Sequence, residues 1–219
     1  MSNITLKKCE NHEEHELFRQ VVNEHHSYIK HTRTPTRRIN WLVYEQPTNN
    51  LIGAIGINSA TLNLSARDSM LECSNEEKLK VLKNFGNNYR FALIKENITI
   101  KNAGSQVLKA FRDEAKKEWK SKYGDDLLGI ETFVKPPWNG TVYKADNWEQ
   151  LGMTSGWTGS RLPLTLIPKR FHKQYLKEFK LKHNTNRKVS FEKTDKKIIF
   201  FKSMVDDLQV KVQDILKKL

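Results

Sequence analysis

The chain has 219 residues, of which 37% are apolar, and a formal net charge of +13. This length suits one α/β domain, alone or with a modest extension. No run of residues is apolar enough for a membrane span, and the N-terminus lacks the apolar core of a secretory signal, so we expect a cytoplasmic protein without membrane partners. The two cysteines, Cys9 and Cys73, are too few for a disulfide framework or a cysteine-based zinc site.

The positive charge is concentrated near the C-terminus. Residues 161–219 carry sixteen Lys or Arg against six Asp or Glu, a balance of +10, which leaves +3 for residues 1–160. We therefore predict a domain over 1–160 and a basic C-terminal extension over 161–219, packed on that domain or swapped with a second copy. A localised basic balance favours a polyanion partner, because each neutralised phosphate releases a counterion. The alternative is a solvated face without a specific partner.

The first predicted helix covers Glu13 to Lys30, where apolar residues recur at a spacing of three and four. His25 lies on its apolar stripe and is most simply a boundary side chain. The adjacent His26 is a candidate catalytic residue, because an imidazole titrates near neutrality and can move protons or hold a metal.

A hairpin follows the first helix. Two apolar runs, Arg38 to Glu45 and Asn50 to Ser59, are separated by Gln-Pro-Thr-Asn-Asn, which is typical of a turn between antiparallel strands. Arg67 and Asp68 come next on a predicted loop, either as a local ion pair or as contacts to a ligand. Ser74 to Glu77 forms a capping box and predicts the start of a helix that ends near Gly86.

A third predicted strand, Tyr89 to Ile94, leads towards a glycine-containing loop and a long helix. The loop is Lys101-Asn-Ala-Gly-Ser105. Amide groups at the start of a helix can hold a phosphate, although many ordinary strand-to-helix turns have the same pattern. The candidate cofactor-binding residues are therefore Lys101, Asn102, Gly104 and Ser105.

A second junction of this kind contains the other candidate catalytic residues. Leu127 to Val134 is a short apolar run that predicts a buried strand, and Glu131 lies within it. A buried carboxylate needs a partner or a chemical role. A helix-like pattern resumes at Gly140, with Tyr143 and Asn147 on one face.

The C-terminal extension contains three predicted elements. Lys169 to Leu181 is a basic helix with interleaved aromatic residues, which favours nucleic acid. Lys197 to Phe201 is a short strand, and Met204 to Leu219 is an amphipathic helix. This last helix either docks on its own domain, which we favour, or pairs with a second copy in a homo-oligomer.

The order of these elements resembles the GCN5-related acyltransferase fold. The sequence from Lys101 to Gln106 is similar to the pyrophosphate loop of that family, and the sequence from Tyr143 to Trp148 is similar to its Tyr-x-x-x-Gly-Phe element. Lys101 and Gln106 depart from the first motif, and Asn147 replaces the glycine of the second. The resemblance implies an α/β (α+β) fold with a mixed, twisted central sheet flanked by helices. It also implies an acyl-CoA-like donor as a candidate cofactor, and a metal stays open.

A closer resemblance covers about residues 15 to 160. The chain is similar there to the DUF4338 family, the family of the Druantia anti-phage protein DruA, which also occurs beside mobile elements. The stretch Gly140 to Trp148 is also similar to the phage Mom protein, an acyltransferase-like enzyme that modifies adenine in DNA. In that likeness Tyr143 matches the Mom-like tyrosine, whereas the Mom acid falls at Phe133 and the nearest acid is Glu131. The words that carry the DUF4338 resemblance are Arg67-Asp68, Asn88 to Phe91, Lys101-Asn102 with Ser105, Glu131 to Val134, and Gly140 to Trp148 with Leu151-Gly152.

Together these features predict a nucleic-acid-binding protein, with DNA favoured over RNA, that belongs to anti-phage defence or a mobile element. Defence-system proteins are then expected partners. The alternative is a Mom-like transferase, in which Glu131, alone or with His26, accepts a proton from an amine and Tyr143 donates one to the leaving group. A third possibility is a subunit whose basic surface meets an acidic protein. The candidate nucleic-acid contacts are Arg67, Arg90, Trp138, Asn147, Lys169, Arg170, Lys173 and Lys177.

Two tryptophans are candidates for stacking on an extruded base. Trp138 and Trp148 flank the predicted helix that carries Tyr143. The alternative is that Trp148 is a core residue and that Tyr143 only hydrogen-bonds a strand carbonyl. The decisive geometric question is whether Glu131 and Tyr143 face the Lys101 to Ser105 loop.

Overall fold

The structure of the protein, a computed structural model, describes residues 3–28, 37–158, 173 and 192–218. Among the predicted contacts, Lys169, Arg170 and Lys177 lie outside these residues, as does almost all of the predicted helix from 169 to 181. The strands are β1 (Ile4–Lys8), β2 (Arg38–Glu45), β3 (Asn50–Ser59), β4 (Phe85–Leu93), β5 (Gly129–Val134), β6 (Glu149–Met153), β7 (Trp157–Thr158), β8 (Glu192–Lys193) and β9 (Ile198–Ser203). The helices are α1 (His12–His25), α2 (Ser65–Asp68), α3 (Asn75–Val81), α4 (Ala103–Tyr123), α5 (Thr141–Ala145) and α6 (Leu208–Leu216).

Within the described residues, seven strands form one mixed sheet in the order β1-β2-β3-β4-β5-β9-β6. Strands β1 to β4 are antiparallel, as the hairpin prediction requires. Strand β5 runs parallel to β4, and β9 is antiparallel to both of its neighbours, β5 and β6. Residues 198–203 of the predicted basic extension are therefore an internal strand of the sheet that residues 1–160 begin.

Strands β4 and β5 are joined only over a short distance. Their register pairs Phe85 with Gly129, Gly86 with Ile130 and Asn87 with Glu131. Both strands continue beyond this point, β4 to Leu93 and β5 to Val134, without further pairing to each other. The two strands consequently separate and leave an opening in the middle of the sheet.

Helices cover both faces of the sheet. The long helix α4 packs its apolar stripe on one face, where Phe111 contacts Trp41 edge-on, with ring centroids 5.7 Å apart. Helix α1 covers the other face with Phe18, Val21 and Val22, which are fully or almost fully buried. None of the described helices combines the length and apolarity of a membrane span.

Several element boundaries differ from those expected. Helix α1 ends at His25, because His26 adopts an extended conformation. Strand β4 begins at Phe85, four residues before the predicted start, because Phe85 pairs with Gly129 of β5 and packs on the ring of Phe201. Sequence periodicity does not contain these long-range contacts.

The C-terminal helix is shorter than predicted and packs on its own chain. It begins at Leu208, where the Asp207 side chain accepts a hydrogen bond from the Val210 N–H, so the four residues from Met204 lie outside it. Val212 is fully buried in a cluster with Val81 of α3 and Phe201 of β9. The apolar stripe of α6 is thus covered within the monomer.

Candidate functional site

A cavity of about 460 Å³ lies where β4 and β5 separate. The end of α1 and the segment from Trp138 to Tyr143 complete its walls. Its lining is rich in aromatic and small polar side chains. The lining residues are His26, Ser27, Tyr28, Asn88, Tyr89, Phe91, Lys95, Thr132, Phe133, Val134, Trp138, Asn139, Gly140, Thr141, Val142 and Tyr143.

Tyr143 is held rigidly at the inner wall of this cavity. Its ring stacks on Phe200 of β9 with centroids 5.6 Å apart, and its hydroxyl donates a 2.8 Å hydrogen bond to Asn88 Oδ1. Gly140 permits this packing, because its φ is +71° and an added Cβ would lie 2.3 Å from the Phe200 ring. Burial raises the pKa of Tyr143, so the hydroxyl keeps its proton. A protonated, fixed phenol can act as a proton donor.

His26 lies on the opposite side of the cavity, after the end of α1. Its Nδ1 accepts a 3.4 Å hydrogen bond from the Tyr28 N–H, which assigns the proton of the neutral ring to Nε2. Burial and the positive charge of Arg90 lower the pKa of His26 to about 4, so the imidazole is neutral at pH 7. The Tyr28 hydroxyl donates to the Phe133 carbonyl at 3.0 Å and accepts from the Lys135 N–H at 3.1 Å. These two hydrogen bonds attach the segment that contains His26 and Tyr28 to the end of β5.

Trp138 forms part of the rim. Its side chain is 49% exposed, which is unusual for an indole in a well-packed protein. Lys95 and Asn139 are also exposed at this rim. The opening therefore presents an apolar ring face together with a cation and an amide.

Glu131 belongs to a buried ionic network, not to the cavity wall. Its Oε2 lies 2.6 Å from Arg67 Nη1, and its Oε1 accepts a 2.6 Å bond from the Thr61 N–H. Arg67 also donates from Nε to Asp68 at 3.0 Å, and Asp68 in turn contacts Lys78 at 3.0 Å. Burial raises the pKa of Glu131, and the Arg67 guanidinium opposes that shift. Arg67 is thus the ion-pair partner that a buried carboxylate at position 131 requires.

The geometry separates Glu131 from Tyr143. Successive side chains of a strand point to opposite faces, so Glu131 and Thr132 diverge, and it is Thr132 Oγ1 that lies 3.5 Å from the Tyr143 hydroxyl. Neither Glu131 nor Arg67 is among the described residues that line the cavity.

The predicted phosphate loop lies beside α5. Asn102 has φ +55°, and α4 begins after it. Gly104 lies against Val142, since an added Cβ would be 2.6 Å from Val142 Cγ2. Among the described lining residues of the cavity, however, Lys101, Asn102, Gly104 and Ser105 are absent. The loop is therefore next to the helix of Tyr143 but outside the cavity itself.

The remaining candidates are spread over the surface and core. Arg90 is buried near the cavity with its guanidinium 5.0 Å from the centre of the Tyr89 ring. Asn147 is exposed, and its carbonyl accepts from Lys202 at 3.0 Å. Trp148 is a core residue whose Nε1–H donates to Asp146 at 2.8 Å. Lys173 is exposed.

Sequence reasoning overlooked Asn88 and Thr132 as site residues. Both are buried polar side chains on strands, and both lie within hydrogen-bonding distance of the Tyr143 hydroxyl. A buried amide inside an apolar strand needs hydrogen-bond partners, and that signal was present at Asn88. Within the described residues, no group of three His, Cys, Asp or Glu side chains could hold a metal ion.

Comparison with solved structures found proteins that are similar to this chain. The chain is similar to the spermidine N-acetyltransferase of Vibrio cholerae in a dodecameric structure, with a TM-score of 0.48, 9% identity, and 93% of this chain and 95% of that chain covered. A Bacillus subtilis acetyltransferase in complex with CoA gives a TM-score of 0.43 and 11% identity over 92% of this chain and 98% of that chain. These distant likenesses carry no argument about activity. The mixed, helix-flanked sheet itself confirms the predicted fold class.

The particular family is defined by sequence. The family model of the Druantia protein DruA matches residues 2–208, and the chain belongs to this family. The predicted resemblance to the DUF4338 family, the family of DruA, is therefore confirmed. Comparison with curated proteins found no match.

We predict that Glu131→Gln will destabilise the protein by about 3 kcal/mol, because Arg67 then keeps a buried positive charge without its main counter-charge. Urea unfolding measures this loss as a lower midpoint. Glu149→Gln, at an exposed position of β6, is the matched control and should leave the midpoint unchanged. An unaltered midpoint for Glu131→Gln would mean that the ion pair is dispensable.

We also predict that His26 makes folding stability depend on pH. The folded-state pKa of His26, about 4, is below its ordinary value of 6.5, so between these values the unfolded chain binds the proton more readily. Stability should therefore decrease as the pH falls from about 6.5 to about 4, and His26→Gln should weaken this dependence. Thermal unfolding across this range provides the measurement. His12→Gln, at an exposed position, should retain the wild-type slope.

Proposed function

We propose that the protein binds nucleic acid, DNA in preference to RNA, as a cytoplasmic component of anti-phage defence or a mobile element. Its partners are then the nucleic acid and other proteins of the defence system. The observation that carries this proposal is the aromatic cavity between β4 and β5, with the exposed indole of Trp138 at its rim. Membership of the DruA family supports the defence context.

The chemistry of the cavity fits an unpaired base. A volume of about 460 Å³ is within the range of small-molecule sites, and every base has a ring face that can stack on an aromatic side chain. Neutral His26 supplies an N–H donor at Nε2, and Thr132 and Asn139 supply further polar groups for the base edge. A base that enters such a site leaves its stack, as in enzymes that extrude a base from a duplex.

Positive charge near the cavity supports a bound backbone. The pKa of Lys197 is lowered by burial and by the charges of Arg90 and Lys135, so these cations are near one another, and Lys135 is also paired with Asp195 at 2.7 Å. Lys95 adds a further cation at the rim. The basic balance of residues 161–219 adds to this attraction. Such cations bind phosphates without reading sequence.

We predict that Trp138→Ala will weaken binding of a single-stranded oligonucleotide about fivefold or more, because a stacked base contributes about 1–3 kcal/mol. Fluorescence anisotropy at one fixed salt concentration measures the Kd. Leu79→Ala is the matched control, because Leu79 is also a large exposed apolar side chain, 59% exposed, but lies on α3 outside the cavity. Equal affinity of wild type and Trp138→Ala removes the base-binding role, and a wild type without salt-sensitive binding removes the whole proposal.

A second candidate function is transfer of an acyl group to a nucleobase. The specific observation that favours it is the buried, protonated Tyr143 hydroxyl, held by Asn88 at the inner wall of the cavity. With an acyl-CoA-like donor, this hydroxyl would give its proton to the leaving thiolate. His26 lines the same cavity as a neutral ring whose Nε2–H can donate to the reacting groups. Acceptance of the proton of an attacking amine by His26 requires the other tautomer, and Glu131, enclosed with Arg67, is less suited to that role.

For this second function we predict that Tyr143→Phe will reduce base modification about 100-fold or more while the Kd for DNA stays near the wild-type value. Mass analysis of nucleosides from DNA co-expressed with the protein measures the modification. Tyr44→Phe is the control, because Tyr44 is a partly buried tyrosine of β2 that lines neither this cavity nor the other described one. If wild-type co-expression leaves every nucleoside mass unchanged, transfer is excluded and nucleic-acid binding is unaffected.

A further inference from the structure

A second cavity, of about 420 Å³, lies between α1 and the last turns of α4, beside the start of β2. It is enclosed by the β1–α1 connection, the start of β2 and the last turns of α4. Six of its ten lining residues are Lys, Arg, His or Glu, in contrast to the aromatic cavity. The lining residues are Lys8, Cys9, Glu10, His15, Arg38, Ile39, Asn40, Glu118, Ser121 and Lys122.

The two acidic side chains of this cavity share one cation. Glu118 and Glu10 both pair with Lys8, at 2.8 Å and 3.0 Å. Among the described residues, Arg38 and Lys122 form no ion pair with a carboxylate. The lining therefore holds three cations, Lys8, Arg38 and Lys122, against two carboxylates, a formal excess of +1 (3 − 2).

Arg38 and Lys122 are also held in place. The Lys122 ammonium donates a 3.2 Å hydrogen bond to the Arg38 carbonyl, and the Tyr123 hydroxyl accepts from the Arg38 N–H at 2.8 Å. The Arg38 Nη1 is shielded from solvent and has no hydrogen-bond partner within the described part of the chain. A buried donor without a partner is costly, so an acceptor at this position would be stabilised.

The pKa of His15 responds to the same two positive charges. Burial lowers the pKa of His15, and the positive charges of Arg38 and Lys122 lower it further. His12 acts in the same direction, whereas Glu14 opposes it. The charges of Arg38 and Lys122 thus outweigh that of Glu14 in their effect on the pKa of His15.

We propose that this second cavity binds a phosphoryl group through Arg38 and Lys122, with His15 as a third ligand. A planar guanidinium beside an ammonium matches the oxygens of a phosphate. The group is either a phosphate of a nucleic-acid backbone or a free phosphate. This site stands apart from the aromatic cavity and does not depend on the function proposed for it.

The two cavities nevertheless share a wall. The Tyr89 ring lines the aromatic cavity, and its hydroxyl donates a 2.7 Å bond to Asn40, which lines the cationic one. Gly56 makes this contact possible, because an added Cβ would lie 2.7 Å from Tyr89 Cε1 and 2.8 Å from Asn40 Oδ1. A single hydrogen bond therefore links one lining residue of each cavity.

The first test is thermal unfolding in inorganic phosphate, compared with sodium chloride at equal ionic strength. We expect a higher Tm in phosphate for the wild type, and no such rise for Arg38→Gln or Lys122→Gln. Lys109→Gln, on an exposed position of α4, is the control and should behave as the wild type. The proposal is overturned if chloride raises the Tm equally, or if both variants keep the full phosphate effect.

The second test needs no substitution at Arg38, so it stands even if Arg38→Gln fails to fold. NMR titration of His15 in the wild type should give a higher pKa in phosphate than in chloride, because a bound anion favours the protonated ring. An unchanged pKa overturns the site. Adding a single-stranded oligonucleotide then distinguishes a backbone phosphate from a free phosphate as the bound group. A rise in the His15 pKa with the oligonucleotide that Lys122→Gln abolishes assigns the site to a backbone phosphate, whereas a response to inorganic phosphate alone assigns it to the free ion.

Discussion

The early separation of β4 and β5 is the constraint on which the rest of the structure depends. Their pairing ends at Asn87 and Glu131, and the aromatic cavity begins with the next residues, Asn88 and Thr132. At this fork the Glu131 side chain is fixed by Arg67 and by the Thr61 amide. The carboxylate predicted as a candidate catalytic base thus joins β5, at the point where the strands part, to α2 and to the segment after β3. Replacement of either charged partner would leave the other buried, and this explains why the pair is expected to matter for stability.

The C-terminal part of the chain supports the inner wall of the cavity. Strand β9 enters the sheet between β5 and β6, and it brings Phe200 under the Tyr143 ring and Phe201 against Phe85. Gly140 and Gly129 leave the space that these two rings occupy. A strand that is distant in sequence therefore positions the tyrosine of the proposed site.

The two cavities differ in chemistry in a way that suits different parts of one ligand class. One has aromatic walls and a neutral histidine, which fits a base. The other has excess positive charge, which fits a phosphate. The Tyr89 to Asn40 hydrogen bond between them spans two strands over Gly56. In this view the sheet is the scaffold: the aromatic cavity lies between β4 and β5, and the cationic one lies at the start of β2.

The sequence by itself determined the elements whose signals are local. The β2–β3 hairpin, the α4 stripe and the start of α3 at its capping box follow from periodicity and turn chemistry, and the DruA family follows from short motifs. It also predicted that Glu131 would be buried, because a polar residue stood inside an apolar strand. Only the tertiary structure decided which group met that carboxylate, because Arg67 lies 64 residues away. It likewise brought His26, Trp138 and Tyr143 to one cavity and left Lys101 outside, since strand pairing and side-chain packing act between residues that no local pattern connects.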